Sequence, residues 1–333
     1  MLSKTLAVAA LAVVPALATP AVNIYWGQSG PSSDRLRSHC DSAGFEYVTV
    51  GFVNQSPEQD RSALKYPGSD FASHCISAKY TDGNGVDSAL LSQCGQIAAD
   101  VRYCQKKGKK VLLSIGGEWK ESKTNYAISN TAEGVYFANF IWGAFGPKQP
   151  TWTKARPFDD YYGADKGDEH FVFDGFDFDI EHKFKDQSGY IAMVNKLRAL
   201  TQTDKSRKYL ITAAPECPLS DQYFKMKDII QQCQFDALFV QFYNNPDCGG
   251  VKNNNFDAWA AHVKKTASKD AKIFIGLPGS RDAAGSGYLA PSEAYTLLNQ
   301  HKNKPAFGGV MVWDAYFGSE QFGGKRFYEH MHD

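Results

Sequence analysis

Residues 171–181 read Phe-Val-Phe-Asp-Gly-Phe-Asp-Phe-Asp-Ile-Glu and carry four carboxylates in an otherwise apolar run. Asp177, Asp179 and Glu181 alternate with Phe176, Phe178 and Ile180. Successive side chains of a strand point to opposite faces, so the three acids share one face and sit roughly 6.6 Å apart along it. Carboxylates held that close and away from water cannot all ionise freely, and at least one pKa must rise. A carboxylic acid that keeps its proton near neutral pH can donate it to a leaving group. A solvated edge strand would also tolerate acids, but the intervening residues are too apolar for one. A buried strand with three acids on one face loses stability unless the acids serve a site. Asp174 has the opposite parity and reads as structural.

The elements that must hold this strand recur along the chain. Eight short β-rich runs occupy residues 22–26, 47–53, 110–115, 171–181, 209–213, 237–243, 273–277 and 309–313. Helical spacing of apolar residues marks 92–107, 132–144, 190–203, 222–233, 256–268 and 291–301. Strands alternating with helices predict a parallel sheet, and eight such units predict a closed (β/α)8 TIM barrel, an α/β fold with one catalytic domain over residues 19–333. An open doubly wound sheet is disfavoured, because no Gly-rich phosphate turn follows the first strand. Residues 54–91 read as an insertion on the barrel, not a second domain. Barrel chemistry belongs at the C-terminal strand ends, where Glu181 stands. Other runs end in Tyr25 and Trp26, Asn54, Trp119, Gln241 to Asn245, and Trp313, an aromatic and polar rim suited to a sugar.

The 333 residues balance 36 basic against 36 acidic side chains. This gives no electrostatic argument for nucleic acid or an anionic membrane. Residues 1–18 read as a secretory signal peptide: Lys4, an apolar run too short to span a bilayer, then Ala16-Leu17-Ala18. Seven cysteines in a secreted chain predict disulfides plus one leftover thiol, with the pairing open on arithmetic alone. No zinc-binding spacing or cofactor motif appears, so neither a metal nor a cofactor is expected. Asn54-Gln55-Ser56 is the only N-glycosylation sequon, and with Pro57 behind it little use is expected.

These residues resemble glycoside hydrolase family 18, and within it the single-domain chitinases of plant and fungal type. The four acids match that family's Asp-x-x-Asp-x-Asp-x-Glu motif. Ser114-Ile115-Gly116-Gly117 matches its Ser-x-Gly-Gly strand. Residues 24–28, 212–218, 240–246 and 308–313 resemble further segments of the same branch, so the likeness runs from residue 22 to about 317. Two departures stand out. Residues 159–170 look inserted before the acidic strand and are expected at the barrel bottom. Glu118-Trp119 replaces small residues and could alter affinity for a sugar.

The resemblance implies a secreted, extracellular and monomeric endochitinase acting on chitin or chito-oligosaccharides, with no nucleic-acid or membrane partner. Glu181 is implied as general acid and later base. The substrate's own N-acetyl oxygen is implied as nucleophile, an exception to the two-carboxylate scheme, with retention of configuration. Asp179 would orient the acetamido group and Asp177 would share a proton with it. Tyr243, Gln241 and Tyr25 would position that group, Trp313 would floor the central subsite, and Asn244 and Trp119 would contact sugar. His182 reads as a hydrogen-bonding residue. The implied disulfides are Cys40–Cys104, Cys75–Cys94 and Cys217–Cys248, leaving Cys233 as a buried thiol. An endoglycosidase acting on glycoproteins shares the acidic motif, and a non-catalytic chitin-binding barrel shares the fold. The Tyr-Trp-Gly-Gln and Gln-Phe-Tyr-Asn segments favour the chitinase branch, and the intact glutamate argues against a lectin or inhibitor.

Overall fold

The computed structural model describes residues 20–159 and 171–332. The signal-peptide residues and, apart from Asp159, the inserted stretch at 159–170 lie outside the described residues.

Eight parallel strands form the frame: β1 (Ala21–Trp26), β2 (Tyr47–Gln55), β3 (Lys110–Gly117), β4 (Gly175–Ile180), β5 (Leu210–Ala213), β6 (Ala237–Gln241), β7 (Lys272–Pro278) and β8 (Phe307–Trp313). Each pairs with its sequence neighbour, and β1 pairs with both β2 and β8, so the sheet closes on itself. A helix follows every strand: α1 (Leu36–Cys40), α2 (Gly95–Lys106), α3 (Thr131–Phe145), α4 (Ser188–Thr201), α5 (Lys227–Gln232), α6 (Phe256–Val263), α7 (Pro291–His301) and α8 (Phe327–His332). This is the closed barrel that the strand and helix pattern predicts.

Period-two alternation divides the strand residues between two cores. Val22, Ile24, Val48, Val50, Phe176, Phe178 and Ile180 face outward and are buried beneath the helices. Tyr25, Phe52, Leu112, Phe239, Tyr243, Phe274 and Met311 fill the barrel itself. The acids belong to the inward set. The hydrophobic residues therefore lock the strand, and the inward positions are left to carry chemistry.

The acidic run is shorter as a strand than expected. Phe171 to Phe173 leave the ladder: Phe171 N–H donates to Asp159 Oδ1 at 3.1 Å and Phe173 N–H to Phe145 O at 3.3 Å. Their rings pack edge-on with Phe158, a burial that pattern alone cannot tell from a strand. The helices expected at 222–233 and 256–268 are also shorter, at Lys227–Gln232 and Phe256–Val263. The insertion after β2 adds a short antiparallel pairing, Gly68–Ser69 on the end of β2, and a hairpin of Lys79–Thr81 with Asp87–Leu91. Disulfides Cys40–Cys104, Cys75–Cys94 and Cys217–Cys248 are formed, and Cys233 is a buried free thiol. Burial pushes the Cys233 thiol up to about 12, so it behaves as a small hydrophobe.

Candidate active site

Strand register builds the floor of the site. Ser114 of β3 and Thr212 of β5 lie opposite Asp177 on either side. Ser114 Oγ donates to Asp177 Oδ2 at 2.7 Å, Thr212 Oγ1 to Oδ1 at 2.6 Å, and Tyr25 Oη to Oδ2 at 2.7 Å. Three hydroxyl donors converge on one fully buried carboxylate. Burial raises its pKa, and the three hydrogen bonds pull it back by favouring the anion.

One step up the strand, Asp179 is buried with a different partner. Gln241 Nε2, at the end of β6, donates to Asp179 Oδ1 at 2.8 Å, to Glu181 Oε1 at 3.1 Å and to Ala214 O at 3.0 Å. One amide thus bridges two acids. Burial first, then the charges of Glu181, Asp177 and Glu216, raise Asp179 well above the usual carboxylate range. Glu181 is raised as well, mainly by burial, with the Gln241 hydrogen bond opposing. Asp179 and Glu181 therefore titrate together. Asp174 points away: it accepts from Gln105 Nε2, Lys110 Nζ and Val111 N–H, and is structural.

The close packing needs two glycines of β3. Gly116 has φ +119° and lies opposite Asp179, and a Cβ there would sit 1.9 Å from the Asp179 carbonyl oxygen. Gly117 has φ +92°, and a Cβ would press on the Phe52 ring at 3.1 Å. The Ser-x-Gly-Gly segment therefore supplies a donor to Asp177 and the room for Asp179.

Tyr25 and Tyr243 flank the acids from inside the barrel, and both hydroxyls are raised by burial and by the acid charges. Trp313 is half-buried at the end of β8, with its ring 5.6 Å from Tyr25 and 6.0 Å from Phe52. It sits at the inner end of a groove of about 740 Å³. Gln28, Asn54 and Asp70 line one part of that groove, and Gly116, Gly117 and Glu118 another. Asn54, the sequon residue, is buried there.

Three expected residues are placed differently from the acids' immediate partners. Asn244 is exposed, and its Oδ1 accepts from Gly285 N–H at 2.8 Å, linking the loops after β6 and β7. Trp119 packs into an aromatic cluster with Tyr126, His182 and Phe184. His182 stacks on Trp119 at 4.5 Å instead of acting through a hydrogen bond, and burial lowers its pKa. The sequence reading missed Tyr126. Its hydroxyl accepts from Glu181 N–H at 3.1 Å and donates to Gly117 O at 2.8 Å, tying the backbone at Glu181 to the end of β3. It also missed Glu216 and Lys225, which form an ion pair on the loop bridged to Gln241, the partner of Glu181. These contacts are made by loop residues and carry no periodic signal. No group of His, Cys, Asp and Glu among the described residues could hold a metal.

A closed (β/α)8 barrel with a coupled line of acids at its C-terminal strand ends, opening on an aromatic-floored groove, defines a sugar-active barrel class. The chain matches the profile "Glycosyl hydrolases family 18" over residues 21–288, and it belongs to that family. It is 39% identical over 321 residues to "Endochitinase A1" of Aspergillus fumigatus, covering 93% of this chain and 36% of that protein. It is 37% identical over 326 residues to a "Probable endochitinase" of Arthroderma benhamiae, covering 92% and 42%. The chain thus spans well under half the length of these relatives. Among solved structures it resembles a chitinase from Ipomoea carnea (TM-score 0.66, 26% identity, covering 89% and 95%). It also resembles the xylanase and alpha-amylase inhibitor protein of Scadoxus multiflorus (TM-score 0.67, 29% identity, covering 90% and 94%). The fold therefore hosts both an enzyme and an inhibitor, and the site must decide between them.

Proposed function

We propose that this protein is a secreted endochitinase that hydrolyses β-1,4 linkages between N-acetylglucosamine units, with retention of configuration. The observation that carries the reading is the Gln241 amide joined to both Asp179 and Glu181, above an Asp177 that three hydroxyls hold as an anion. In that arrangement Asp177 and Asp179 share one proton, and Glu181, just past the C-terminal end of β4, is placed to protonate the glycosidic oxygen.

The acid line offers no second carboxylate as an obvious nucleophile, because Asp177 and Asp179 are buried. The substrate's acetamido oxygen takes that role and attacks the anomeric carbon as the glycosidic bond breaks. Asp179, with Gln241 and Tyr243 beside it, holds the acetamido group, and the one negative charge of the Asp177–Asp179 pair balances the positive charge that develops on it. Glu181, now an anion, takes a proton from water as that water opens the cyclic intermediate. Trp313 lies where an apolar sugar face can stack. The three disulfides support an oxidising, extracellular destination. Two relatives named as endochitinases support the substrate class.

The test is product analysis on defined oligomers. An N-acetylated oligomer is expected to be cut at internal bonds, giving the β-anomer first. Its fully deacetylated counterpart is expected to survive. Equal cleavage of both would rule out the substrate's acetyl group as nucleophile. Release of glycans from a high-mannose glycoprotein, without cleavage of chitin oligomers, would point to the endoglycosidase reading.

A further inference from the structure

The Glu216–Lys225 ion pair is not explained by the acid line or by the fold. Glu216 stands just past β5, and its backbone bridges to Gln241. Gln241 N–H donates to Pro215 O at 2.9 Å, and Cys217 N–H donates to Gln241 O at 3.2 Å. Gln241 is the residue whose side chain holds both Asp179 and Glu181. At the other end, the Lys225 carbonyl accepts from Gln187 Nε2 at 2.7 Å. Gln187 is buried, and its Oε1 accepts from the first amides of α5 at Asp228 and Ile229, each at 3.2 Å. Both partners are only partly exposed, 17% for the Glu216 side chain and 27% for Lys225. A pair desolvated to that degree adds little stability by itself. Tied through Gln241 to the Glu181 carboxylate, it calls for a functional reason.

We propose that Glu216 and Lys225 are positioning residues, a balanced charge pair that sets how readily Glu181 releases and regains its proton. The proposal rests on the reading of Glu181 given above. The acid has two tasks that pull in opposite directions: it must hold a proton for the leaving group, then accept one from water. Glu216 alone would hold the proton too tightly, and Lys225 alone would strip it.

The other groups around Glu181 are accounted for. Asp179 shares its strand, Glu118 approaches from the loop after β3, and Gln241 comes from β6. The Tyr126 and Tyr243 hydroxyls face it from the loop before α3 and from the end of β6, and His182 follows it in the chain. Among the described residues Lys225 brings a positive charge that acts on both Asp179 and Glu181, and Glu216 acts on both with the opposite sign.

The experiment is the pH profile of kcat/KM on an N-acetylated oligomer for the wild type, Lys225→Met, Glu216→Gln and the double variant. The alkaline limb reports loss of the Glu181 proton. Lys225→Met is expected to move it up by about one pH unit and Glu216→Gln to move it down by a similar amount. On the falling limb each shift reads as about a tenfold change in rate. The double variant should return close to the wild type, and Lys225→Arg should not move the limb. Titration of the Glu181 carboxyl by carbon-13 NMR should show the same shifts without turnover. Limbs that stay fixed, or that move in the same direction in both single variants, would overturn the proposal. Should Lys225→Met fail to fold, Lys225→Arg and Glu216→Gln still carry the test. A fully active Glu181→Gln protein would refute the acid assignment itself. Fixed limbs alongside an inactive Glu181→Gln would refute only the role of the pair.

Discussion

Asp179→Asn should stabilise this protein while it disables it. Asp179 is 3% exposed and accepts the Gln241 amide at 2.8 Å. Burial, then Glu181, Asp177 and Glu216, raise it well above its unfolded range. The sign follows from linkage. A carboxyl with a raised folded pKa costs nothing below the unfolded pKa, and the folded state then loses stability as pH rises toward the folded value. The loss runs at about 1.4 kcal/mol per pH unit. Asparagine cannot ionise, has nearly the same shape, and can still accept from Gln241. The variant should match the wild type near pH 4 and gain on it steadily as pH rises toward the folded value. For a chain of this length, about 1.5 °C of melting temperature per kcal/mol makes that a gain of roughly 2 °C for each pH unit over this span. Scanning calorimetry of both proteins from pH 4 to pH 7 reads it directly. An asparagine variant that melts lower throughout, or a gap that does not change with pH, would refute the claim that Asp179 is a desolvated and coupled acid.

Three further substitutions test other parts of the site. Gly116→Ala should fail to fold or lose more than about 3 kcal/mol, because its Cβ would strike the Asp179 carbonyl at 1.9 Å in a left-handed conformation; a normal melting curve would contradict this. Tyr25→Phe should fold but lose about 10–100-fold in kcat/KM, because it removes one of the three donors that hold Asp177 as an anion. Replacing Cys217 and Cys248 with serine should cost about 2–5 kcal/mol in stability and lower activity too, because the disulfide ties the loop of Glu216 to that of Tyr243. Denaturant melts and oligomer assays on the same protein separate the two effects.

Much of this site is written in local pattern. The alternation around Asp177 places the acids on one face without any knowledge of their neighbours. The eight strand runs are legible for the same reason, since inward and outward residues alternate in each. What pattern cannot give is register across strands. That Ser114 and Thr212 flank Asp177 depends on how three strands align. The Gln187–Lys225–Glu216 chain is hidden for a related reason, because its members come from two loops, before α4 and before α5, and the fold alone brings Gln187 to Lys225. The helices Leu36–Cys40 and Phe327–His332 span five and six residues, too few for a period to show. Trp119 and Asn244 were legible as rim residues, but their neighbours were not. Trp119 is drawn into the Tyr126 and Phe184 rings, and Asn244 has φ +57° in a turn that aims its side chain at Gly285.

The most direct test of the central claim is Glu181→Gln, assayed for turnover and for oligomer binding on the same preparation. Glutamine keeps the shape and can still pair with Gln241, but it has no acid proton to give. The account predicts that hydrolysis falls by roughly 10²-fold or more while calorimetric binding of an N-acetylated oligomer stays near the wild type. Retention of most of the wild-type turnover would contradict it.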